Sequence, residues 1–237
     1  MKYLLILLLL TFPSLAEDKP CVAIKAMPKG NGASKAWGQP SKFWPQKSTL
    51  RVRFLTGTTR QKTEAWKRFV VIDELVNLKF VQVTSGASDI RVRFDQTGHW
   101  SYLGVDAKTI KSNEATMNLQ LKAGVFGDMR EEWDRVALHE VLHAIGLEHE
   151  HQSPKATELI WNKKTVYEYY GQTQGWTKEQ IDFQVLNRSK ASRFIATDFD
   201  ATSIMEYPIP YGLANIVVGL NDKLSNNDII FLKTIYP

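Results

Sequence analysis

His139-Glu140-Val141-Leu142-His143-Ala144-Ile145-Gly146-Leu147-Glu148-His149-Glu150 is the stretch that decides the reading of this chain. On a helix, side chains four residues apart project from one face a single turn apart, so the imidazoles of His139 and His143 reach one metal ion together. Glu140, beside the first of them, places a carboxylate where it meets a water at that ion. Gly146 supplies a residue able to leave the helix in a left-handed conformation, and the turn that follows returns His149 as a third nitrogen. Three neutral imidazoles around one Zn2+ leave a fourth position open, which suits a hydrolytic site and not a closed structural one. One Zn2+ per chain is the expectation.

The helix is otherwise ordinary, with Trp133, Val136, Ala137, Val141, Leu142 and Ile145 forming an apolar face. Yet four of the five histidines fall within residues 139–151, which core packing does not explain. Downstream, Ser203-Ile204-Met205-Glu206-Tyr207 adds a separate element, a Met-turn whose Met205 forms an apolar floor beneath the ligands. The extended histidine motif followed by that turn is the metzincin pattern. The spacing from Gly146 selects His149 over His151 as third ligand. His99, alone between Gly98 and Trp100, reads as structural.

The chain opens with Lys2, an apolar run from Tyr3 to Phe12, and Ser14-Leu15-Ala16. That is a signal peptide, residues 1–16, with cleavage expected after Ala16 and secretion as its consequence. The run is short for a bilayer and no later stretch is long enough, so no stable membrane insertion is expected. Cys21 is the only cysteine, so no intrachain disulfide forms. The formal charge of +5, or +4 once Lys2 departs, is spread along the chain, which argues against nucleic-acid binding. A length of 237 residues fits one domain or two lobes sharing a cleft, and monomer is the default assembly.

Residues 17–45, rich in Lys, Pro, Gly and Ser, read as a pro-segment or flexible extension ahead of a catalytic domain at 46–237. Leu50, Val52 and Phe54 alternate as a strand. Thr58 and Gln61 form a capping box for a helix to about Val76. Strands are expected at 79–84 and 89–94, and a short one around Met117, Leu119 and Leu121, before a turn at Gly124-Val125-Phe126-Gly127. Beyond His151 come short helices at 163–170 and 177–186, then loops, then a helix capped by Ser225 and Asp228 that runs to about Ile235.

These motifs resemble the astacin-like zinc metallopeptidases of the metzincin clan. The resemblance rests on His139-Glu140 through His149-Glu150, on Met205 and Tyr207, and on the ending Lys223-Leu224-Ser225-Asn226-Asn227-Asp228-Ile229 through Tyr236-Pro237; it spans residues 45–237. It implies an α+β two-lobed metzincin fold: an N-terminal twisted mixed sheet with long helices (about 46–147) and a loop-rich C-terminal lobe (about 148–237), with zinc in the cleft between them. It further implies that Met117, Asn118, Leu119, Gln120 and Leu121 form the edge strand to which an extended peptide adds. Tyr207 is implied as a zinc ligand at rest that swings to support the oxyanion, and Glu150 as the salt-bridge partner of the mature N-terminus. The chain departs from the family in placing His151-Gln152-Ser153-Pro154 after the third ligand and Glu206 between Met205 and Tyr207, which points to a divergent, bacterial-type branch.

The function so implied is a zinc-dependent endopeptidase acting on polypeptide substrates, with Glu140 as general base. Two other readings stand beside it: a zinc-containing binding or adhesion protein that uses the cleft without turnover, and a metallo-amidase acting on cell-wall peptides. A pure binder has no need of a base at Glu140. Cys21 is either an incidental thiol or a latency ligand that fills the open zinc position until the pro-segment is removed, and Asp18 is an alternative for that role.

Overall fold

The computed structural model describes residues 22–24, 38–120, 133–190 and 193–237. The signal peptide, Asp18, Cys21, Leu121 and the 124–127 turn lie outside the described residues.

Five strands of the first half form a mixed sheet: β2 (Thr49–Phe54), β3 (Lys79–Gln82), β4 (Ile90–Arg93), β5 (His99–Tyr102) and β6 (Met117–Leu119), with β1 (Val22–Ile24) added at one side. In β2 the alternation works as expected: Leu50 and Val52 are buried while Arg51 is exposed. Between β2 and β3 runs α1 (Thr59–Leu75). Thr58 Oγ1 accepts the Gln61 N–H at 3.2 Å and Gln61 Oε1 accepts the Thr58 N–H at 2.8 Å, so both halves of the capping box are present. Ala65, Phe69 and Ile72 fall on one face of this helix and are buried against the sheet. Such a helical crossover lets β2 and β3 lie parallel.

The strand order is β1-β5-β6-β4-β2-β3. This corrects one expectation. Met117–Leu119 is an interior strand between β4 and β5, and Met117, Asn118 and Leu119 are all fully buried. The outermost strand of the 46–237 region on that side is β5, antiparallel to β6. The resemblance pointed to the right side of the sheet but to the neighbour of its edge strand. Asn118 does not face water: its Oδ1 accepts the Gln96 N–H and its Nδ2 donates to the Gln96 and Gly98 carbonyls, tying down the loop that leads into β5. Gln120 does similar work, its Oε1 accepting the Gly98 N–H and its own N–H donating to His99 Nδ1.

A π-helical turn, Trp133–Ala137, runs directly into α2 (Leu138–Ala144), and every residue of α2 is buried. Further helices are α3 (Lys163–Gln174), α4 (Lys178–Ile181), which continues as a π-turn at Asp182–Leu186, and α5 (Asn226–Ile235). Ser225 caps α5 as the sequence indicated, its Oγ accepting the Asp228 N–H.

Two apolar cores result. The larger joins the sheet, α1 and α2, and also takes in Ile204, Met205, Phe231, Leu232, Ile235 and Tyr236 from late in the chain. The smaller holds Ala156, Leu159, Val166, Tyr170, Ile181, Val185, Ile209, Leu213 and Val218. The chain therefore passes from the larger to the smaller at 148–155 and again at 206–208, returning between Val185 and Ile204 and between Val218 and Phe231. Among the described residues, no helix is long and apolar enough to cross a membrane.

Candidate active site

Both crossings carry polar residues, and α2 aims two more at the same point. The ligand atoms offered by His139, His143 and His149 all lie within 4.8 Å of one another, and the three residues are buried. Their tautomers follow from the backbone. His139 Nδ1 lies 2.7 Å from the Ile204 carbonyl, and His143 Nδ1 lies 2.7 Å from the Leu147 carbonyl. A carbonyl only accepts, so each Nδ1 carries its ring's hydrogen and each Nε2 keeps a lone pair. Ring orientation by a backbone carbonyl is the usual outer support of a metal-bound histidine.

Gly146 makes the second of these bonds possible. Its φ of +104° turns the chain sharply, and a Cβ there would lie 2.8 Å from the Phe43 ring. The turn folds the Leu147 carbonyl back onto His143 and sends His149 toward the other two rings.

The donor set fits Zn2+. His143 Nε2 and His149 Nε2 sit 3.1 Å apart, and His139 Nε2 is buried with no hydrogen-bond partner among the described residues. Nitrogens sharing a tetrahedral ion at about 2.0–2.1 Å would lie about this far apart, so the cluster would accommodate one. Burial pushes the pKa of His139 down to about 4, against the pull of the Ile204 carbonyl, and nearby Arg135 lowers it further, so the ring is neutral at pH 7 and its lone pair is available. Glu140 is fully buried beside these rings.

The Met-turn is a support for this centre. Its Ile204 carbonyl orients His139, and its Met205 carbonyl accepts the Glu150 N–H at 3.0 Å, fixing the segment that carries His149. Met205 itself is fully buried. The turn is held in its own right by Asp228, which the sequence marked only as a helix cap. Asp228 accepts the Ser203 hydroxyl at 2.6 Å, the Ile204 N–H at 3.0 Å and the Ser225 N–H at 2.9 Å. Burial raises its pKa despite these donors.

Tyr207 packs its ring on His149, with centroids 4.4 Å apart. Glu150 is buried and accepts the Asp200 N–H at 3.0 Å; burial, then the neighbouring Glu206, push its pKa up to about 9. His151 and Glu206 lie in contact with each other and fully buried, a pairing that no local signal in the sequence reveals. At the other end of α2, Trp44 Nε1–H donates to the Ala144 carbonyl at 2.8 Å and Tyr236 O–H donates to the Ile145 carbonyl at 2.6 Å. Residues near the two ends of the domain thus hold the carbonyls that the ligand helix leaves open. β5 packs against α2, and β1 lies along the outer side of β5 in parallel, with Val22 opposite Trp100 and Ile24 opposite Tyr102.

No family model matches the sequence, and no curated protein matches it. Solved structures do. One structure of myroilysin is 35% identical, aligned over 84% of this chain and 98% of that one, with a TM-score of 0.78. A second structure of myroilysin is 32% identical over 94% of this chain and 93% of that one, with a TM-score of 0.65. High choriolytic enzyme 1, a hatching enzyme zinc-protease from Oryzias latipes (medaka fish), is 20% identical over 84% of this chain and 96% of that one, with a TM-score of 0.56, and shares the fold.

Proposed function

The chain belongs to the astacin-like zinc metallopeptidases and is a metalloendopeptidase, and from that premise we propose that it is secreted, is made as a zymogen, and uses Glu140 as its general base. The observation that carries the base assignment is the convergence of three imidazole nitrogens, with the fully buried Glu140 next to the first of them in the chain. His139, His143 and His149 would hold the zinc, which would supply a Lewis acid able to lower the pKa of water to about 7 and polarise a peptide carbonyl. Glu140 takes the proton of the attacking water and delivers it to the leaving amine nitrogen. Tyr207, held against His149, donates its phenol hydrogen to the carbonyl oxygen as negative charge develops on it. The backbone of β5 offers the hydrogen-bonding edge to which an extended substrate adds as a further strand.

That same edge supports the zymogen reading. β1 already pairs with β5, so residues 22–24 take the position an incoming peptide needs. Cys21, the residue before β1, is then a candidate latency ligand, and removal of the part of the 17–45 segment ahead of Gly38 frees both the edge and the zinc while leaving Trp44, which holds the Ala144 carbonyl, in place. Glu150, buried near the Met-turn, is the candidate partner for the new N-terminal amine. Secretion rests on the charged, apolar and small-residue pattern of residues 1–16.

The test is gelatin hydrolysis by residues 17–237 with zinc, before and after N-terminal trimming, beside Glu140→Ala. The parent is expected to cleave, faster once trimmed. The variant should keep its zinc and lose about 10²–10⁴-fold in rate, the usual contribution of a positioned acid–base group. Cleavage by Glu140→Ala at the parental rate defeats the base assignment. Equal rates before and after trimming defeat the zymogen.

A further inference from the structure

Two residues that flank the histidine cluster and Tyr207 in the chain meet in space. His151 follows the third ligand and Glu206 precedes Tyr207; His151 Nδ1 lies 3.3 Å from Glu206 Oε1, and both side chains are fully buried. Each is also committed elsewhere. His151 Nε2 lies 3.1 Å from the Gln184 carbonyl, so that nitrogen is the donor. Glu206 Oε1 also accepts the Tyr207 N–H at 3.0 Å, while its Oε2 has no hydrogen-bond partner among the described residues. Nδ1 and the carboxyl therefore face each other inside the protein, each on one of the two segments that flank the histidine cluster. The contact is a close approach, not an aligned hydrogen bond.

The ring of His151 has a second consequence. It stacks on His149 with centroids 5.4 Å apart, and it also lies against the Tyr207 ring at 4.6 Å. Tyr207 is thus held on its ring by His149 and His151 and at its backbone by Glu206. Apolar side chains of similar size would fill this space at lower cost than a buried ionisable pair, so packing alone does not account for the choice.

We propose that His151 and Glu206 act as one positioning unit, a buried pair that sets the orientation of the Tyr207 ring against His149. Its catalytic consequence rests on Tyr207 being the oxyanion donor, so the test separates the two claims. In the trimmed enzyme, Glu206→Gln and His151→Phe lower kcat by about 10–100-fold, the usual cost of losing an outer support of a metal site. KM and the zinc dissociation constant stay near the parental values, as expected when only an interaction of the transition state is lost. In a Tyr207→Phe background, Glu206→Gln has no further effect on kcat, because the pair works through a group already removed.

The ring itself provides the readout that does not depend on activity. A crystal structure of Glu206→Gln should show Tyr207 displaced from its 4.4 Å contact with His149. An unmoved ring overturns the positioning unit whatever Tyr207 does. So does a loss in kcat of equal size in the parent and Tyr207→Phe backgrounds, or a loss matched by release of zinc. If Tyr207→Phe alone leaves kcat unchanged, the oxyanion role of Tyr207 falls, while a displaced ring in Glu206→Gln still upholds the pair. Should His151→Phe fail to fold, Glu206→Gln decides the matter alone.

Discussion

The two cores differ in how they are made, and the active site lies where the chain passes between them. The larger is built on regular elements and includes 30 buried apolar side chains among the described residues; the smaller has nine, set on short helices and loops. The larger core gives α2 its rigidity and so fixes His139 and His143. His149 and His151 lie on the first crossing to the smaller core, Glu206 and Tyr207 on the second. Two of the three clustered imidazoles, with Glu140, thus sit on the stiff element, while the third, with Tyr207, sits where the two bodies join. The smaller core, with less buried apolar surface, is the one expected to open first.

Cavities in each core test that comparison most strongly. Phe69 is buried in the larger core and Leu159 in the smaller. Phe69→Ala should cost about 3–5 kcal/mol and lower the whole unfolding transition; Leu159→Ala should cost about 2–5 kcal/mol. Hydrogen exchange separates them further. Leu159→Ala should speed exchange across α3 and α4 while the amides of β2 and β4 keep their protection. Equal loss of protection in both regions breaks the comparison and makes the two cores one cooperative unit.

Tyr236→Phe is expected to have a smaller effect, and it tests how the larger core holds the ligand helix. The hydroxyl donates to the Ile145 carbonyl and accepts the Trp44 N–H at 3.1 Å, all in buried surroundings. Its removal leaves both backbone groups unpaired, at a cost of about 1–3 kcal/mol in denaturant unfolding. Zinc affinity should fall with it, because the Ile145–Leu147 turn supplies the carbonyl that orients His143. A destabilised variant that binds zinc as tightly as the parent would mean that the turn orients His143 without help from the chain's end.

The cluster of three imidazoles was legible in the sequence because local geometry specifies it. A four-residue spacing on a helix and one glycine bring three nitrogens together with little help from distant residues. Caps were legible for the same reason, as Thr58 with Gln61 and Ser225 with Asp228 show. The edge of the sheet was not. The resemblance implied an edge at Met117–Leu121, but this strand is interior, and Asn118 spends its polarity on loop backbone inside the protein. β5, with His99 at its start, carried only the weaker signal of Trp100 and Tyr102 as β-formers after Gly98. The contact of His151 with Glu206, the hold of Asp228 on the Met-turn, and the clip of Trp44 and Tyr236 on α2 all join distant parts of the chain. A single sequence carries no periodicity for such contacts.

The smallest expected effect belongs to the solvent-facing side of the regular half, and its value lies in its pH dependence. Arg93 Nε lies 2.7 Å from Asp95 Oδ1 just beyond β4, and that charge-assisted hydrogen bond lowers the Asp95 pKa to about 2. In the unfolded chain the same carboxyl titrates near about 3.9. The folded state therefore binds the proton more weakly, and the bond stabilises the fold at every pH above about 4. As pH falls from about 4 to about 2, the unfolded state takes up its proton first and the contribution disappears. Asp95→Asn should thus melt slightly below the parent at pH 7 and alongside it near pH 2. Solvent screening keeps the difference small. A gap between the two melting curves that persists at pH 2 would show that Asp95 acts through its bond to Thr56 Oγ1, 3.2 Å away, and not through its charge.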